Sequence, residues 1–219
     1  MTTPSAPLII TFDDGYVSHY NDAFPYMQAL GLKATDYMAT YHIGVAGYCS
    51  AANLQAMSAG GWIIGNHTRN HIQLATLTEA QQETELQNGY DDLAAIGITT
   101  GKHIAYPGGS YNADTMTAMA AVGALTGRAS VAGAFFPPIA NNYLINNTYV
   151  GNTHPLAQVK ATIDTAQNLG QILLISFHDL VASSPGTYDW LLSDFQALMD
   201  YIVEHGYPTI TVADLYDLM

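Results

Sequence analysis

Positive charge is scarce in this sequence. Lysine and arginine together number five, against 18 aspartate and glutamate residues, which gives a formal net charge of −13 at pH 7. A chain with so few cations cannot neutralise a row of phosphates, and anionic lipid repels it. We therefore expect neither a nucleic-acid partner nor binding to an acidic membrane surface.

Cysteine and long apolar runs are also in short supply. Cys49 is the single cysteine, which excludes an internal disulfide and leaves the redox compartment open. No apolar run reaches the roughly 18 residues that a membrane span needs. The opening MTTPSAPLII lacks the charge and the long apolar stretch of an intact signal peptide. We predict a tail or linker remnant at residues 1–6, and expect an extracellular or cell-envelope location with the cytoplasm left open.

Apolar β-like runs alternate with helical patterns along the whole chain, and hydrophobic residues make up 49% of it. This alternation predicts a parallel sheet covered by helices, in one α/β domain over residues 7–219. We predict a distorted (β/α) barrel of about seven or eight strands, with an open doubly wound sheet as the alternative. The predicted strands are Leu8–Phe12, Ala34–Met38, Trp62–Gly65, Lys102–Tyr106, Ala124–Arg128, Tyr143–Ile145, Gln171–Phe177 and Pro208–Ile210. The predicted helices are Ala51–Ala59, Thr78–Ile96, Asn112–Val122, Pro155–Leu169 and Tyr188–His205.

Two adjacent carboxylates, Asp13 and Asp14, directly follow the first predicted strand in LIITFDDGY. Because the two carboxylates repel each other, we expect either that a cation lies between them or that one of them takes part in a reaction. After the third predicted strand, GNHTRNH places His67 and His71 four residues apart, a spacing that shares one face of a helical turn. Two imidazoles and one carboxylate leave open positions on a metal, as a catalytic zinc site does.

Two further elements follow later predicted strands. His178 in QILLISFHDL ends the most apolar strand, and its pKa range suits a proton donor near neutral pH. In YPGGSYN, Gly108 and Gly109 allow close backbone approach, which suits an oxyanion hole. Each element alone has an ordinary structural explanation, as a polar turn, surface histidines or a core histidine. Their combination at strand ends in one domain favours a site.

These elements, in this order, resemble those of the polysaccharide deacetylase family, also called carbohydrate esterase family 4 or the NodB homology domain. TFDDGY resembles the first family motif, HTRNH the second, YPGG a variant of the third, and SFHD the fifth. The resemblance covers essentially the whole chain. It implies a distorted (β/α) barrel and a hydrolase that removes N-acetyl groups from a sugar polymer with the help of a metal.

The resemblance also implies roles for individual residues. Asp13 would be the general base, and His178 would protonate the departing amine. One divalent ion, zinc by preference with cobalt or nickel as substitutes, would be held by Asp14, His67 and His71. The YPGG segment would contact the oxyanion and substrate through Gly108, Tyr106 and Pro107.

Three departures from the family pattern matter. Ala105 stands where the resemblance implies an arginine that contacts the base, and we hypothesise that Arg128 replaces it, with Arg69 as the alternative. The segment NNYLINNTY lacks the Asp and Trp of the fourth motif, which leaves Asp179 as a weak candidate for orienting the catalytic histidine. Ser176 replaces a leucine that would floor the acetyl pocket.

Other histidines and aromatic residues are abundant. We interpret five histidines as incidental: His19, His42, His103, His154 and His205. Five tyrosines near predicted loop ends are candidates for stacking on sugar rings: Tyr16, Tyr41, Tyr106, Tyr111 and Tyr188.

Three functions compete at this point. The leading one is metal-dependent deacetylation of an N-acetylated glycan of the chitin, peptidoglycan or poly-N-acetylglucosamine type. The second is hydrolysis of a small amide or imide, which a closed pocket would favour. The third is a catalytically silent carbohydrate-binding domain. We expect no partner besides the glycan and assume a monomer.

Overall fold

The computed structural model describes residues 6–219, and the predicted tail at residues 1–6 therefore lies almost wholly outside the described residues. Ten strands and seven α-helices alternate along this part of the chain. The strands are β1 Leu8–Asp14, β2 Thr35–Met38, β3 Ile63–Asn66, β4 His103–Ala105, β5 Thr126–Arg128, β6 Thr148–Tyr149, β7 Leu173–Phe177, β8 Leu180–Val181, β9 Trp190–Leu191 and β10 Thr209–Ile210. The helices are α1 Phe24–Ala29, α2 Ala51–Ala59, α3 Glu79–Ala95, α4 Ala113–Ala121, α5 Leu156–Leu169, α6 Leu192–Glu204 and α7 Val212–Asp217.

The main sheet has the strand order β5-β4-β3-β2-β1-β7-β6, and β10 pairs with the start of β1. Every pairing between these strands is parallel. Ile145 also forms a parallel bridge with Arg128, and the chain then runs on into β6. This bridge brings the two edges of the sheet together, so the prediction of a distorted barrel is confirmed and the open sheet is not.

The pleat of the strands separates two cores. Leu8, Ile10 and Phe12 of β1 face outward, where they pack with buried residues of the surrounding helices. Ile9 faces inward and packs with Tyr37, Leu174 and other residues that fill the barrel, including two from α7. Because side chains alternate along a strand, the next inward positions on β1 are Thr11 and Asp13.

The segment between β5 and β6 differs from the prediction. The predicted strand Tyr143–Ile145 contributes only the single bridge at Ile145. Asn141 and Asn142 use their side chains to bond nearby backbone groups, which holds this stretch as a turn rather than a strand. The strand on that side is β6, three residues further along.

The last long helix was predicted to begin too early. Residues 190–191 pair with residues 180–181 as a small two-stranded ribbon, so the predicted helix Tyr188–His205 begins only at Leu192. Helices α1 and α7 were not predicted, because each has only six residues. No helix in the described part of the chain is long and apolar enough to cross a membrane.

Candidate active site

The first strand delivers the two carboxylates to different places. Asp13 continues the inward positions of β1 and is almost completely buried in the barrel mouth. Asp14 ends the strand with φ of +72°, and Gly15 follows with φ of +78°. The left-handed pair turns the chain sharply, so two neighbouring carboxylates point into different surroundings.

Three side chains converge into a group that could hold a metal ion. The candidate ligand atoms of Asp14, His67 and His71 lie within 4.8 Å of one another. Nε2 of His71 is 3.2 Å and Nε2 of His67 is 3.6 Å from Oδ1 of Asp14. His67 donates its Nδ1–H to the carbonyl oxygen of Ala105 at 2.8 Å, which turns the Nε2 lone pair toward Asp14.

This group fits a divalent cation. Oδ1 of Asp14 is buried and has no hydrogen-bond partner in residues 6–219, a state that a bound cation would relieve. Burial lowers the pKa of His67 to about 4, so its imidazole is neutral at physiological pH, as a metal ligand must be. Two imidazole nitrogens and one carboxylate leave coordination positions for water and substrate.

The second motif reaches this geometry without a helix, contrary to the prediction of a helical turn. Thr68 and His71 both adopt left-handed backbone conformations, with φ of +65° and +55°. Asn66 fixes the turn: its Oδ1 accepts from Thr68 N at 2.7 Å, and its Nδ2 donates to the Leu86 carbonyl on α3. The two histidines therefore meet through backbone strain that is supported by side-chain bonds.

Asp13 is paired with Arg128 inside the barrel. Nη2 of Arg128 donates to both oxygens of Asp13, at 2.7 and 2.6 Å. A single guanidinium nitrogen therefore makes both contacts. The guanidinium also lies over the ring of Tyr37, 5.2 Å from its centre. Burial alone would raise the pKa of Asp13, but Arg128, with smaller contributions from His67 and His178, offsets burial and holds that pKa below its usual value.

The alternative arginine lies elsewhere. Nε of Arg69 is 3.4 Å from Oδ2 of Asp92, and the Arg69 side chain is 47% exposed. Arg69 therefore pairs on the surface with α3 rather than with the proposed base.

His178 faces the same carboxylate from β7. Its Nε2 is 3.8 Å from Oδ2 of Asp13, and its ring contacts Tyr149 and Tyr188. Nδ1 of His178 is buried without a hydrogen-bond partner in the described structure. Asp179 does not orient the ring, contrary to the weak prediction, because its carboxylate accepts from the hydroxyl of Ser18 at 2.6 Å.

The third motif forms a tight turn beside the second. Gly108 has φ of +60°, and a side chain there would approach Gln73, two residues after His71. Tyr106 and Pro107 are buried, and the phenol of Tyr106 donates to the carbonyl of Tyr143. The Tyr106 ring is thus unavailable for stacking on a sugar, which corrects that prediction, and any substrate contact here involves the backbone of the turn.

Aromatic side chains flank both sides of the carboxylates. On one side the rings of Tyr41, His42, Tyr48 and Tyr16 stack in succession. On the other, Tyr188 lies against His178 and is 60% exposed. Ser176, two residues before His178, is buried and accepts a bond from Asn147 Nδ2 at 2.9 Å. Polar side chains therefore occupy the position where the resemblance implies a leucine in the acetyl pocket.

Sequence reasoning missed one contributor. His19, interpreted as incidental, is completely buried and bonds both Asp36 and the backbone of His178. Its one signal in the sequence is its place five residues after Asp14, on a stretch too short and irregular to predict. Asp36, in a short strand whose four residues are all buried, was the stronger clue, because a buried carboxylate needs a partner.

Solved structures with the same fold are numerous. A Streptococcus pyogenes deacetylase, PplD, in complex with acetate is 25% identical, with 71% of this chain and 69% of that one covered and a TM-score of 0.65. The Bacillus subtilis peptidoglycan deacetylase PdaC is 17% identical over 98% of this chain and 92% of its own, with a TM-score of 0.65. The Xyl-CE4 domain of a termite-hindgut xylanase (Trinervitermes trinervoides) is 17% identical over 97% and 90%, with a TM-score of 0.68. The last two similarities show the fold alone.

Sequence comparison identifies the family. The Bacillus subtilis (strain 168) protein YxkH, whose name provisionally describes it as a polysaccharide deacetylase, is 34% identical over 130 residues. That match covers 58% of this chain and 46% of the relative, so the chain spans about half of the relative's length. The family model described as "Polysaccharide deacetylase" matches residues 1–126, more than half of the chain. The protein therefore belongs to the polysaccharide deacetylase family.

Proposed function

We propose that this protein is a metal-dependent hydrolase that removes N-acetyl groups from an N-acetylated glycan. The observation that carries the proposal is the meeting of two different units at one barrel mouth. One unit is the group of Asp14, His67 and His71, whose ligand atoms lie close enough together to bind one cation. The other is the Asp13–Arg128 pair with His178 beside it.

Asp14, His67 and His71 would hold one divalent ion, with zinc as the preferred metal and cobalt or nickel as substitutes. When bound there, such an ion would polarise the acetyl carbonyl and lower the pKa of a bound water. The neutral state of His67 and its Nδ1 bond to the Ala105 carbonyl both support this role.

Asp13 acts as the general base in the proposed reaction. It is ionised, because Arg128 holds its pKa low, and it is kept in place by two contacts from one guanidinium nitrogen. The carboxylate takes a proton from water as the water oxygen bonds to the acetyl carbon. Arg128 orients the base and stabilises its charge, without contact to the substrate.

His178 supplies the second proton transfer. Its Nε2 lies at the mouth, near the base, and gives its proton to the amide nitrogen as the carbon–nitrogen bond breaks. The products are acetate and a free amine. The backbone N–H of Gly108, in the turn beside the metal loop, is the proposed donor to the carbonyl oxygen.

A glycan substrate is supported by the aromatic side chains around the mouth. Tyr41 and Tyr188 are about half exposed or more, and they flank the carboxylates from opposite sides. Flat apolar rings of this kind stack on the faces of sugars. The names of related structures refer to peptidoglycan and to a xylanase, and chitin, peptidoglycan and poly-N-acetylglucosamine all remain candidate polymers. A cell-envelope or extracellular setting and a monomeric state are part of the same proposal.

Acetate release tests the proposed function. The protein, loaded with zinc, is incubated with N-acetylglucosamine oligomers, peptidoglycan and poly-N-acetylglucosamine, and free acetate is measured. We expect acetate from at least one polymer, loss of the signal with a chelator, and its return with added zinc. Metal binding without acetate release from any of the three would overturn the proposal in favour of a silent binding domain.

A further inference from the structure

His19 uses both of its ring nitrogens in the protein interior. Nε2 lies 3.0 Å from the carbonyl oxygen of His178, and Nδ1 lies 3.1 Å from Oδ2 of Asp36. A carbonyl oxygen only accepts, so Nε2 carries a proton and donates it to His178. The side chains of His19 and Asp36 are both completely inaccessible to solvent.

The contact belongs to a clamp on the residues that follow β7. Ser18, next to His19, donates its hydroxyl to Asp179 at 2.6 Å and accepts from the N–H of Leu180 at 3.2 Å. Residues 18 and 19 therefore bond three successive residues, 178–180. The turn that carries both clamp residues begins a short π-helical segment, His19–Ala23, directly after the loop of the two carboxylates.

The ring of His178 has little else to orient it. Its Nδ1 has no hydrogen-bond partner in the described structure, its Nε2 is 3.8 Å from Oδ2 of Asp13, which is too far for a hydrogen bond, and the rings of Tyr149 and Tyr188 lie beside it. The direction of the imidazole is thus set mainly by its backbone, which the clamp fixes. A displacement of the order of 1 Å at a proton donor is enough to lower a rate about 100-fold.

We infer that His19, held by Asp36 with a proton on each ring nitrogen, is a positioning residue that aims His178 at the leaving nitrogen. The inference rests on the proposed function of His178 as the proton donor. Asp36 accepts the Nδ1–H of His19, as the carboxylate of a catalytic triad does from its histidine, and so stabilises the doubly protonated ring and fixes its direction. Unlike a triad histidine, however, His19 does not contact the substrate, and it acts only through the position of His178.

The surroundings of His19 support this assignment. Burial by itself would lower the pKa of His19, but the charge and the bond of Asp36, together with the bond to the His178 backbone, offset burial, and the pKa is raised. Asp179 adds negative charge from the end of β7. Tyr16 touches the ring edge, and Cys49 donates its thiol to the Tyr16 carbonyl. Burial raises the pKa of both of these groups, so they stay uncharged beside the imidazole.

The test removes the His19 contact of the clamp without leaving a buried charge, and it keeps the two bonds of Ser18. In the double variant His19→Phe/Asp36→Leu, both polar partners are replaced by apolar groups of similar shape, which is close to neutral for stability. Two substrates are compared: an N-acetylglucosamine oligomer, whose amine needs a proton to leave, and 4-nitrophenyl acetate, whose phenolate leaves without one. We expect kcat for the amide to fall about 10- to 100-fold with KM nearly unchanged, and ester hydrolysis to stay near the wild-type rate.

The matched control is His103→Gln, which removes another buried histidine from the opposite end of the barrel. This control should lower neither rate, or both equally. An equal loss on both substrates in the double variant, or no loss on either, would overturn the inference.

A second measurement does not depend on activity. Nitrogen-15 NMR of the histidine rings in the wild-type protein should show His19 protonated at Nε2 from pH 6 to pH 8, with slow exchange of that proton. An unprotonated Nε2 in this range would overturn the inference even in an active enzyme. If the wild-type protein released no acetate, the proposed function would fail, while the NMR result would still decide whether His19 holds the His178 backbone.

Discussion

Two carboxylates that are neighbours in sequence have different environments in this protein. Asp13 contacts a guanidinium in the barrel, whereas Asp14 faces two imidazoles and keeps one buried oxygen without a partner among the described residues. The difference arises from the pleat of β1 and from the left-handed conformation of Asp14. Their chemical roles are therefore separable by mutation.

Asp14→Asn should abolish metal binding, and Asp13→Asn should leave it nearly intact. Both variants should lose deacetylase activity, the second by about 10²–10⁴-fold because it lacks the general base. Metal content measured by elemental analysis distinguishes the two variants, and so does the rise in melting temperature on adding zinc. Zinc at about 100 times its dissociation constant adds about 2.7 kcal/mol of stability, and this gain should appear in the wild type and in Asp13→Asn only. Zinc binding that survives in Asp14→Asn would contradict the ligand assignment.

Arg128 offers a graded test of the base. Arg128→Met leaves the Asp13 carboxylate buried without a partner, which typically costs about 3–5 kcal/mol of stability. It should also move the acidic limb of the activity profile to higher pH, because the guanidinium that lowers the pKa of Asp13 is gone. Arg128→Lys keeps a positive charge but loses the contact with the Tyr37 ring, so we expect an intermediate loss.

The control for both variants is Arg69→Met, which removes a guanidinium that pairs on the surface with Asp92. Its stability should change by less than about 1 kcal/mol. An acidic limb that stays in place in Arg128→Met would show that Arg128 does not set the ionisation of Asp13.

At the scale of elements, one helix supports the loop at residues 66–71, which carries the proposed metal ligands His67 and His71. Gly89 on α3 is buried, and a Cβ at this position would lie 2.3 Å from Oδ1 of Asn66. That oxygen holds the left-handed Thr68 between the two histidines. A glycine in the middle of a helix is thus required by a neighbouring turn.

Gly89→Ala should therefore weaken metal binding, although alanine normally stabilises a helix by about 1 kcal/mol relative to glycine. We expect a loss of about tenfold in zinc affinity, in line with other disturbances behind metal ligands. Isothermal calorimetry measures it, with Thr84→Ala on the exposed side of the same helix as the control. Unchanged zinc affinity together with higher stability would mean that α3 does not shape the loop.

Local signals explain which elements could be predicted from sequence. Helices α2, α3 and α4 begin at capping boxes set by Ser50, Thr78 and Asn112, and their predicted bounds agree with the structure to within one residue at each end. The segment between β5 and β6 could not be predicted, because its one bridge to Arg128 depends on barrel closure. The same limit applies to the site. The strand ends at Asp13, His67 and His178 were visible in the sequence, whereas the clamp of His19 on His178 joins residues far apart in the chain.

At the scale of the whole molecule, buried neutral histidines couple stability to pH. Burial lowers the pKa of His103 to about 4, from an unfolded value of about 6.5. Between these values the unfolded chain binds a proton that the folded chain does not. The contribution of this group to stability is therefore complete above about pH 6.5 and is lost as the pH falls toward 4.

Chemical denaturation at pH 7.5 and pH 5 should reveal this coupling. The free energy of unfolding should decrease from pH 7.5 to pH 5. The decrease should be smaller in His103→Gln, which removes one of the contributing groups. The measurement is made in chelator, so that metal binding by His67 and His71 does not enter. Parallel curves for the wild type and the variant would contradict the assignment of a low pKa to His103.

The alternation along β1 also constrains how this sequence can change over time. Its outward residues belong to the helix-covered core and its inward ones to the barrel, where they lead up to the base. Point substitutions on either face are separate events. A single inserted or deleted residue between Leu8 and Phe12 would instead exchange the two faces at once, sending Phe12 into the barrel and Asp13 out of it. Related sequences that keep this chemistry should therefore show substitutions in the first strand but no insertions or deletions of single residues.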